Sequence, residues 1–258
     1  MTAVSVSVTG ALAVRSLLMI RRVPAVVLPS LIFPIVIVVA FSGAYGALVR
    51  LPGFPVDDML DWVLPMSIVQ GSAFAGVNAG LGLIRDLEGG FFDRLRLAPT
   101  SRTSLVMGPL LGAVSRAAIP LVIVLCVGLV AGAHVRGGVV SSVATLVVAS
   151  LGAAVIAAGW AIGLALRIRS MRAAPLMQVG IFVTIFMSTA QVPLTVMTGW
   201  LKSVARVNPT TYVLQLARQG FIGPITWSHT WPGLLAIAVG AVLLVAFAVR
   251  GVASFDRD

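Results

Sequence analysis

Charged positions divide this chain into long apolar blocks. Charge-free runs cover residues 23–49, 62–84, 117–133, 137–166, 173–201 and 231–249, the last closed by Arg250. A helix of about twenty apolar residues crosses the hydrocarbon core of a bilayer, so the pattern predicts six transmembrane helices. Proline and glycine fall inside several of the runs (Pro29, Pro34, Pro65, Gly71, Gly80), as membrane helices tolerate. Gly76 with Gly80, and Gly159 with Gly163, have the four-residue spacing that lets neighbouring helices approach closely.

Composition agrees with this reading. Hydrophobic residues make up 59% of the 258 residues and mean hydropathy is +1.07, more apolar surface than a soluble domain can hide. The expected class is an all-α integral membrane protein with a single transmembrane domain over residues 1–258. The net charge of +10 does not point to nucleic acid, because the arginines separate apolar runs rather than forming a basic stripe.

Arginine placement predicts orientation. With the N-terminus in the cytoplasm, that side receives Arg15, Arg21, Arg22, Arg85, Arg94, Arg96, Arg102, Arg167, Arg169, Arg172, Arg250 and Arg257. The other side keeps Arg50, Arg136, Lys202, Arg206 and Arg218. Positive charge is retained inside, so both termini are expected in the cytoplasm and Asp57, Asp58 and Asp61 outside. Arg116 is expected near the cytoplasmic end of the third run, its side chain snorkelling to the interface. The first run starts late and is too long for a cleaved signal segment.

Absences narrow the function. His134 and His229 stand in expected outer loops without a nearby spaced ligand, and Cys126 lies in an apolar run, so neither a metal site nor a disulfide framework is expected. No serine-nucleophile elbow or paired-histidine zinc motif occurs, which argues against an enzyme. No Asp or Glu lies inside the six runs, whereas ion-coupled carriers commonly keep a carboxylate there. Gln70, Asn78, Gln178 and Gln191 remain as neutral polar groups for a substrate or for helix–helix hydrogen bonds. The only lysine, Lys202, follows Leu201 where a phosphate-binding loop requires glycine. Any ATP hydrolysis must come from another polypeptide.

Two segments carry the remaining information. In "RDLEGGFFDRLRLAPTSR", residues 85–102, Gly89 and Gly90 loosen the chain and Pro99 stops a helix. Between them Phe91, Leu95 and Ala98 share a helical face, while Asp93 and Arg96 share another. Such a helix suits either a knob that enters a partner's groove or a helix lying in the lipid interface. The second segment, residues 191–221, is too broken for a loop and too polar for a span. Pro193 and Gly199 interrupt it; Trp200, Leu201 and Val204 oppose Lys202 and Arg206; Asn208 and Pro209 start another helix. It reads as a re-entrant pair lining a pathway or as interfacial anchoring by Trp200 and Tyr212.

Both segments resemble the type-2 ABC transporter permeases, above all the daunorubicin-resistance exporters. "EGGFFDRLRLAPTSR" is similar to that family's inner-loop motif: an acidic residue and glycine, an Asp-Arg-Leu core, then proline and Ser-Arg. "VPLTVMTGWLKSVARVNPTTYVLQLAR" is similar to its tail, with proline, Trp-Leu, Asn-Pro-x-Thr and a terminal arginine. Many relatives have Met-Pro before the tryptophan, where this chain has Thr198 and Gly199. The resemblance implies a cytoplasmic coupling helix that meets an ATPase through Glu88, Gly90, Phe91, Phe92, Asp93, Arg94, Leu95 and Pro99. It implies an outer gate containing Pro193, Trp200, Leu201, Asn208, Pro209, Tyr212 and Arg218. It also implies two permease subunits, identical or homologous, and two ATPase subunits that carry ATP and Mg, this chain itself holding no cofactor. The expected cargo is a drug or lipid-like amphiphile leaving a bacterial cell through its inner membrane. A polysaccharide or lipid-linked glycan is the alternative within the family; an ion-coupled carrier or a membrane scaffold is the alternative outside it.

Overall fold

The computed structural model of the chain describes residues 28–90 and 102–254. Its regular elements there are all helical. Helix α1 spans Leu28–Tyr45 and continues as a tight turn over Gly46–Arg50. Helices α2 (Met59–Glu88), α3 (Arg102–Val130) and α4 (Val139–Ile168) follow. A short turn, Met171–Ala173, leads into α5 (Ala174–Phe186). Then come α6 (Gly199–Val207), α7 (Pro209–Ile222) and α8 (Trp227–Ser254).

Helix α2 is the centre of the bundle. It starts on the Asp58 cap, whose Oδ1 accepts from the Leu60 amide at 2.8 Å, and is buried along most of its length. Its partner α4 packs backbone against backbone. A Cβ on Gly76 would stand 2.5 Å from the Ala154 carbonyl, and one on Gly80 would stand 2.6 Å from Ala161. A second seam joins α4 to α8, where Gly159 lies against the Leu244 backbone and Gly163 under the Phe247 ring. The four-residue glycine spacings of the sequence are thus helix contacts. Helix α3 covers a third side through Gly128 on Leu64 and a hydrogen bond from Ser72 Oγ to the Ala117 carbonyl. Helix α1 attaches by Phe33, edge-on to both Phe74 and Phe182. The outward side chains of α8, among them Leu235, Val239, Val242 and Leu243, are exposed, as a lipid-facing surface requires.

Five described helices are long and apolar enough to cross a membrane: Leu31–Arg50, Met59–Glu88, Leu105–Val130, Val139–Ile168 and Trp227–Val252. The fifth apolar run of the sequence, 173–201, does not form one long helix. Helix α5 ends at Phe186 after 13 residues, a length of about 20 Å against a hydrocarbon core of about 30 Å. The chain then passes through turns to α6. Helix α3 begins well before the expected start of its run, so Arg116 sits midway along it, half-buried.

The loops fall into two groups at opposite ends of the bundle. At one end Arg136 pairs with Asp57 at 2.8 Å, and Thr195 Oγ1 donates to the Gly53 carbonyl at 2.7 Å. The Arg136 and Gly137 amides both donate to the Gly220 carbonyl at 2.9 Å. At the other end the Met171 amide donates to Glu88 Oε1 at 3.2 Å. Arg167 there lies over the Phe247 ring at 3.7 Å and donates to the Phe247 carbonyl. These groups are the ones the arginine count assigned to opposite membrane sides.

Candidate functional site

The broken segment after α5 is organised by two polar side chains. Asn208 caps α7: its Oδ1 accepts from the Thr210 amide at 2.9 Å, and Pro209 fills the first helical position, where no amide donor is needed. The same side chain faces backwards with its amide. Nδ2 donates to the Thr184 carbonyl at 2.7 Å and to the Met187 carbonyl at 2.9 Å. These are among the carbonyls that the end of α5 leaves without an intrahelical partner. One asparagine therefore terminates α5 and starts α7.

Arg218 holds the next stretch. Its Nε donates to the Trp62 carbonyl at 2.9 Å and Nη1 to the Thr189 carbonyl at 2.6 Å, while Nη2 donates to the Ala190 carbonyl at 2.5 Å. The guanidinium also covers the Trp62 ring at 3.9 Å. Its side chain is buried, and the charge is met by carbonyl dipoles and an aromatic face rather than by a carboxylate. The arrangement fixes the unwound backbone at Thr189 and Ala190 against the first turn of α2.

The remaining residues of the expected outer gate lie before and along α6 and at the α6–α7 turn. The Pro193 carbonyl accepts from the Val196 and Met197 amides at 3.1 and 3.2 Å. Tyr212 Oη donates to the Arg206 carbonyl at 2.6 Å, and Thr211 Oγ1 to the Ala205 carbonyl at 2.7 Å. Leu201 is half-buried, and Trp200 is 69% exposed. Beside this turn lies an apolar pocket of about 50 Å³, lined by Val69, Ala73, Ile156, Ile185 and Val213 with two hydroxyl residues, Thr184 and Thr210. Of the neutral polar residues in the apolar runs, Gln70 is fully buried and makes no side-chain hydrogen bond among the described residues. Asn78 and Gln191 are half-buried, and Gln178 is exposed.

Of the expected coupling residues, Glu88 and Gly90 are described. Glu88 receives the Met171 amide, and Gly90 adopts φ +66°, a conformation glycine takes without strain. Phe91, Phe92, Asp93, Arg94, Leu95 and Pro99 lie outside the described residues.

The sequence reading missed the partners of the histidines. His134 is not isolated: its amide donates to Asp61 Oδ1 at 2.8 Å, and its Nδ1 stands 3.6 Å from Asp61 Oδ2. Asp61 itself is fully buried in the first turn of α2, with Arg136 Nη2 3.9 Å away. Separation by 73 positions hides this contact from any local motif. His229 Nδ1 lies 2.9 Å from Thr226 Oγ1. Among the described residues no three His, Cys, Asp or Glu side chains gather in a way that could hold a metal ion.

Long apolar helices packed around a buried central helix, with the described ion pairs at their ends, define a multi-pass membrane protein. The ABC-2 type transporter family model matches residues 7–222, and the chain belongs to that family. It is 30% identical over 211 residues to a protein of Porphyra purpurea named "Putative transport permease ycf38", covering 80% of this chain and 70% of that one. A protein of the same name from Pyropia yezoensis is 28% identical over 226 residues, covering 85% of this chain and 75% of its own length. Family membership makes the chain a non-enzymatic transport subunit and, as for the family in general, implies an ABC ATPase as partner.

Proposed function

We propose that the chain is the membrane subunit of an ATP-driven exporter for a drug or lipid-like amphiphile. Two copies, or this chain and a homologue, would pair with two ATPase subunits that bind ATP and Mg. The complex would sit in a bacterial cell membrane with both termini and residues 85–102 in the cytoplasm. The observation that carries this reading is the placement of carboxylates. Among the described residues the carboxylates of Asp57, Asp58, Asp61, Asp86 and Glu88 stand at or beside the ends of α2, and none lies midway along a span, where ion-coupled carriers commonly keep one. Energy would then enter through residues 85–102, with Phe91 and Phe92 in a groove of the ATPase.

Residues Pro193, Trp200, Leu201, Asn208, Pro209, Tyr212 and Arg218 would form an outer gate rather than a catalytic site.

Pull-down of the ATPase by purified permease, with substrate-stimulated ATP hydrolysis, tests the assignment. The Phe91→Ala, Phe92→Ala double variant removes buried aromatic anchors commonly worth about 2 kcal/mol or more. Binding should weaken about thirtyfold, or hydrolysis should continue without transport. Full assembly and normal coupling in that variant would overturn the coupling role.

A further inference from the structure

Glu88 is the last residue of α2. Its carboxylate reaches across to another element of the same chain. Oε1 accepts the Met171 amide at the entry to α5, next to Ser170, whose hydroxyl accepts the Arg172 amide at 3.4 Å. Two side chains from separate places in the sequence thus satisfy amide donors at the positive end of one short helix, where a negative charge is favourable. The far end of that helix is held with equal economy by Asn208, through the Thr184 and Met187 carbonyls. Between these points the chain is continuous helix, Met171–Ala173 followed by Ala174–Phe186. Midway, Gly180 lies flat on the Trp160 indole, so that a Cβ there would stand 2.8 Å from Nε1. Beyond Phe186 the chain enters the stretch clamped by Arg218, which is tied back to Trp62 at the opposite end of α2.

We infer that Glu88 is a positioning residue, and that α5 is a strut through which the end of α2 sets the docking of the α6–α7 pair. A helix of this length transmits displacement along its axis because its hydrogen bonds run in that direction. Its ends are held by polar side chains, Glu88 and Ser170 at one and Asn208 at the other, with Ala173 and Ile185 buried beside them. A pull on Glu88 from the loop that follows it shifts the Met171 end, and the Asn208 end must follow or release. This rests on the assignment of residues 85–102 as the loop that receives the ATPase.

Hydrogen–deuterium exchange on the full-length chain in lipid nanodiscs, with neither ATPase nor nucleotide, tests the strut directly. Glu88→Ala should speed exchange roughly five- to tenfold at residues 171–175, as loss of a helix-end acceptor does. It should also speed exchange at residues 187–190 and 208–211, at the other end of α5. Glu88→Gln keeps an acceptor oxygen and should restore most of the protection at both places. Coupling is reciprocal, so Asn208→Ala should loosen the Met171 end in turn. Faster exchange confined to residues 171–175 would reduce Glu88 to a local cap and overturn the strut. Failure of Glu88→Gln to restore protection would overturn the hydrogen bond as its origin. Loss of ATPase binding or transport in the unmodified protein would sink the exporter assignment instead, and leaves this readout untouched.

Discussion

Arg218 lies across the indole of Trp62 and at the same time donates to the Trp62 backbone carbonyl. Side chain and main chain of one residue are thus recognised by one guanidinium, 156 positions away in sequence. Replacing Arg218 by Met would leave the Trp62, Thr189 and Ala190 carbonyls buried without this donor, at about 1–3 kcal/mol each. The expected result is a loss of at least ~3 kcal/mol, seen as a melting temperature lower by roughly 6–12 °C in detergent. Lysine should rescue poorly, because a compact ammonium cannot span three separated acceptors. A variant melting within a degree or two of the parent would refute the clamp.

The glycine seam makes a prediction that changes sign within one helix. Gly76→Ala and Gly80→Ala drive a methyl group into the backbone and Cβ of α4, which cannot swing aside, and should each cost about 1–3 kcal/mol. Gly82 has open space where its Cβ would be. Gly82→Ala should therefore stabilise the protein by up to about 1 kcal/mol through helix propensity alone. Thermal unfolding of the three variants side by side checks the order.

Asn208 performs two jobs with opposite polarity, so aspartate should separate them. Asn208→Asp retains an acceptor for the Thr210 amide but turns an oxygen toward the Thr184 and Met187 carbonyls. The α7 start should survive while its attachment to α5 is lost. A cysteine at the buried Ala205 position, in a Cys126→Ala background, should then react with maleimide about tenfold faster, matching a loss of about 1.4 kcal/mol in closure. Unchanged reactivity would show that apolar contacts hold the turn without Asn208.

Membrane orientation is open to labelling in intact cells. With Cys126 replaced by Ala, cysteine at Asp58 or Ser228 should react with an impermeant maleimide added outside. Cysteine at Ser101 should react only after permeabilisation. The reverse pattern would invert the topology inferred from the arginines.

Five of the six expected spans and the grouping of the described loops were legible in the sequence because both are set by local hydrophobicity and charge. Asn208 and Pro209 were legible as a helix start for the same local reason. The break at Phe186 was not. Nothing in "VTIFMSTAQV" forbids another turn of helix on composition alone. The following carbonyls at Thr189 and Ala190 are claimed instead by Arg218, from 28 or more positions downstream. The burial of Asp61 against the His134 amide escaped notice because apolar-run counting places the start of α2 just after that carboxylate. The role of Glu88 toward Met171 was hidden because resemblance reads that residue as part of the loop motif, whereas the fold uses it as a helix-end acceptor.

Close backbone contact along Gly76, Gly80 and Gly159 also limits how the molecule can change shape. Helix α4 meets α2 at Gly76 and Gly80, and α8 at Gly159, with backbone in direct contact at those points. Sliding one past another would drive Cα against carbonyl within a fraction of an ångström, so the trio moves as a keel. Helix α1, held in part by edge-on rings at Phe33, and α5, pinned at its tips, have the softer mountings. Alternating exposure of a pathway to the two sides of a membrane would therefore be carried by the planking around that keel, while the keel itself keeps its shape through the cycle.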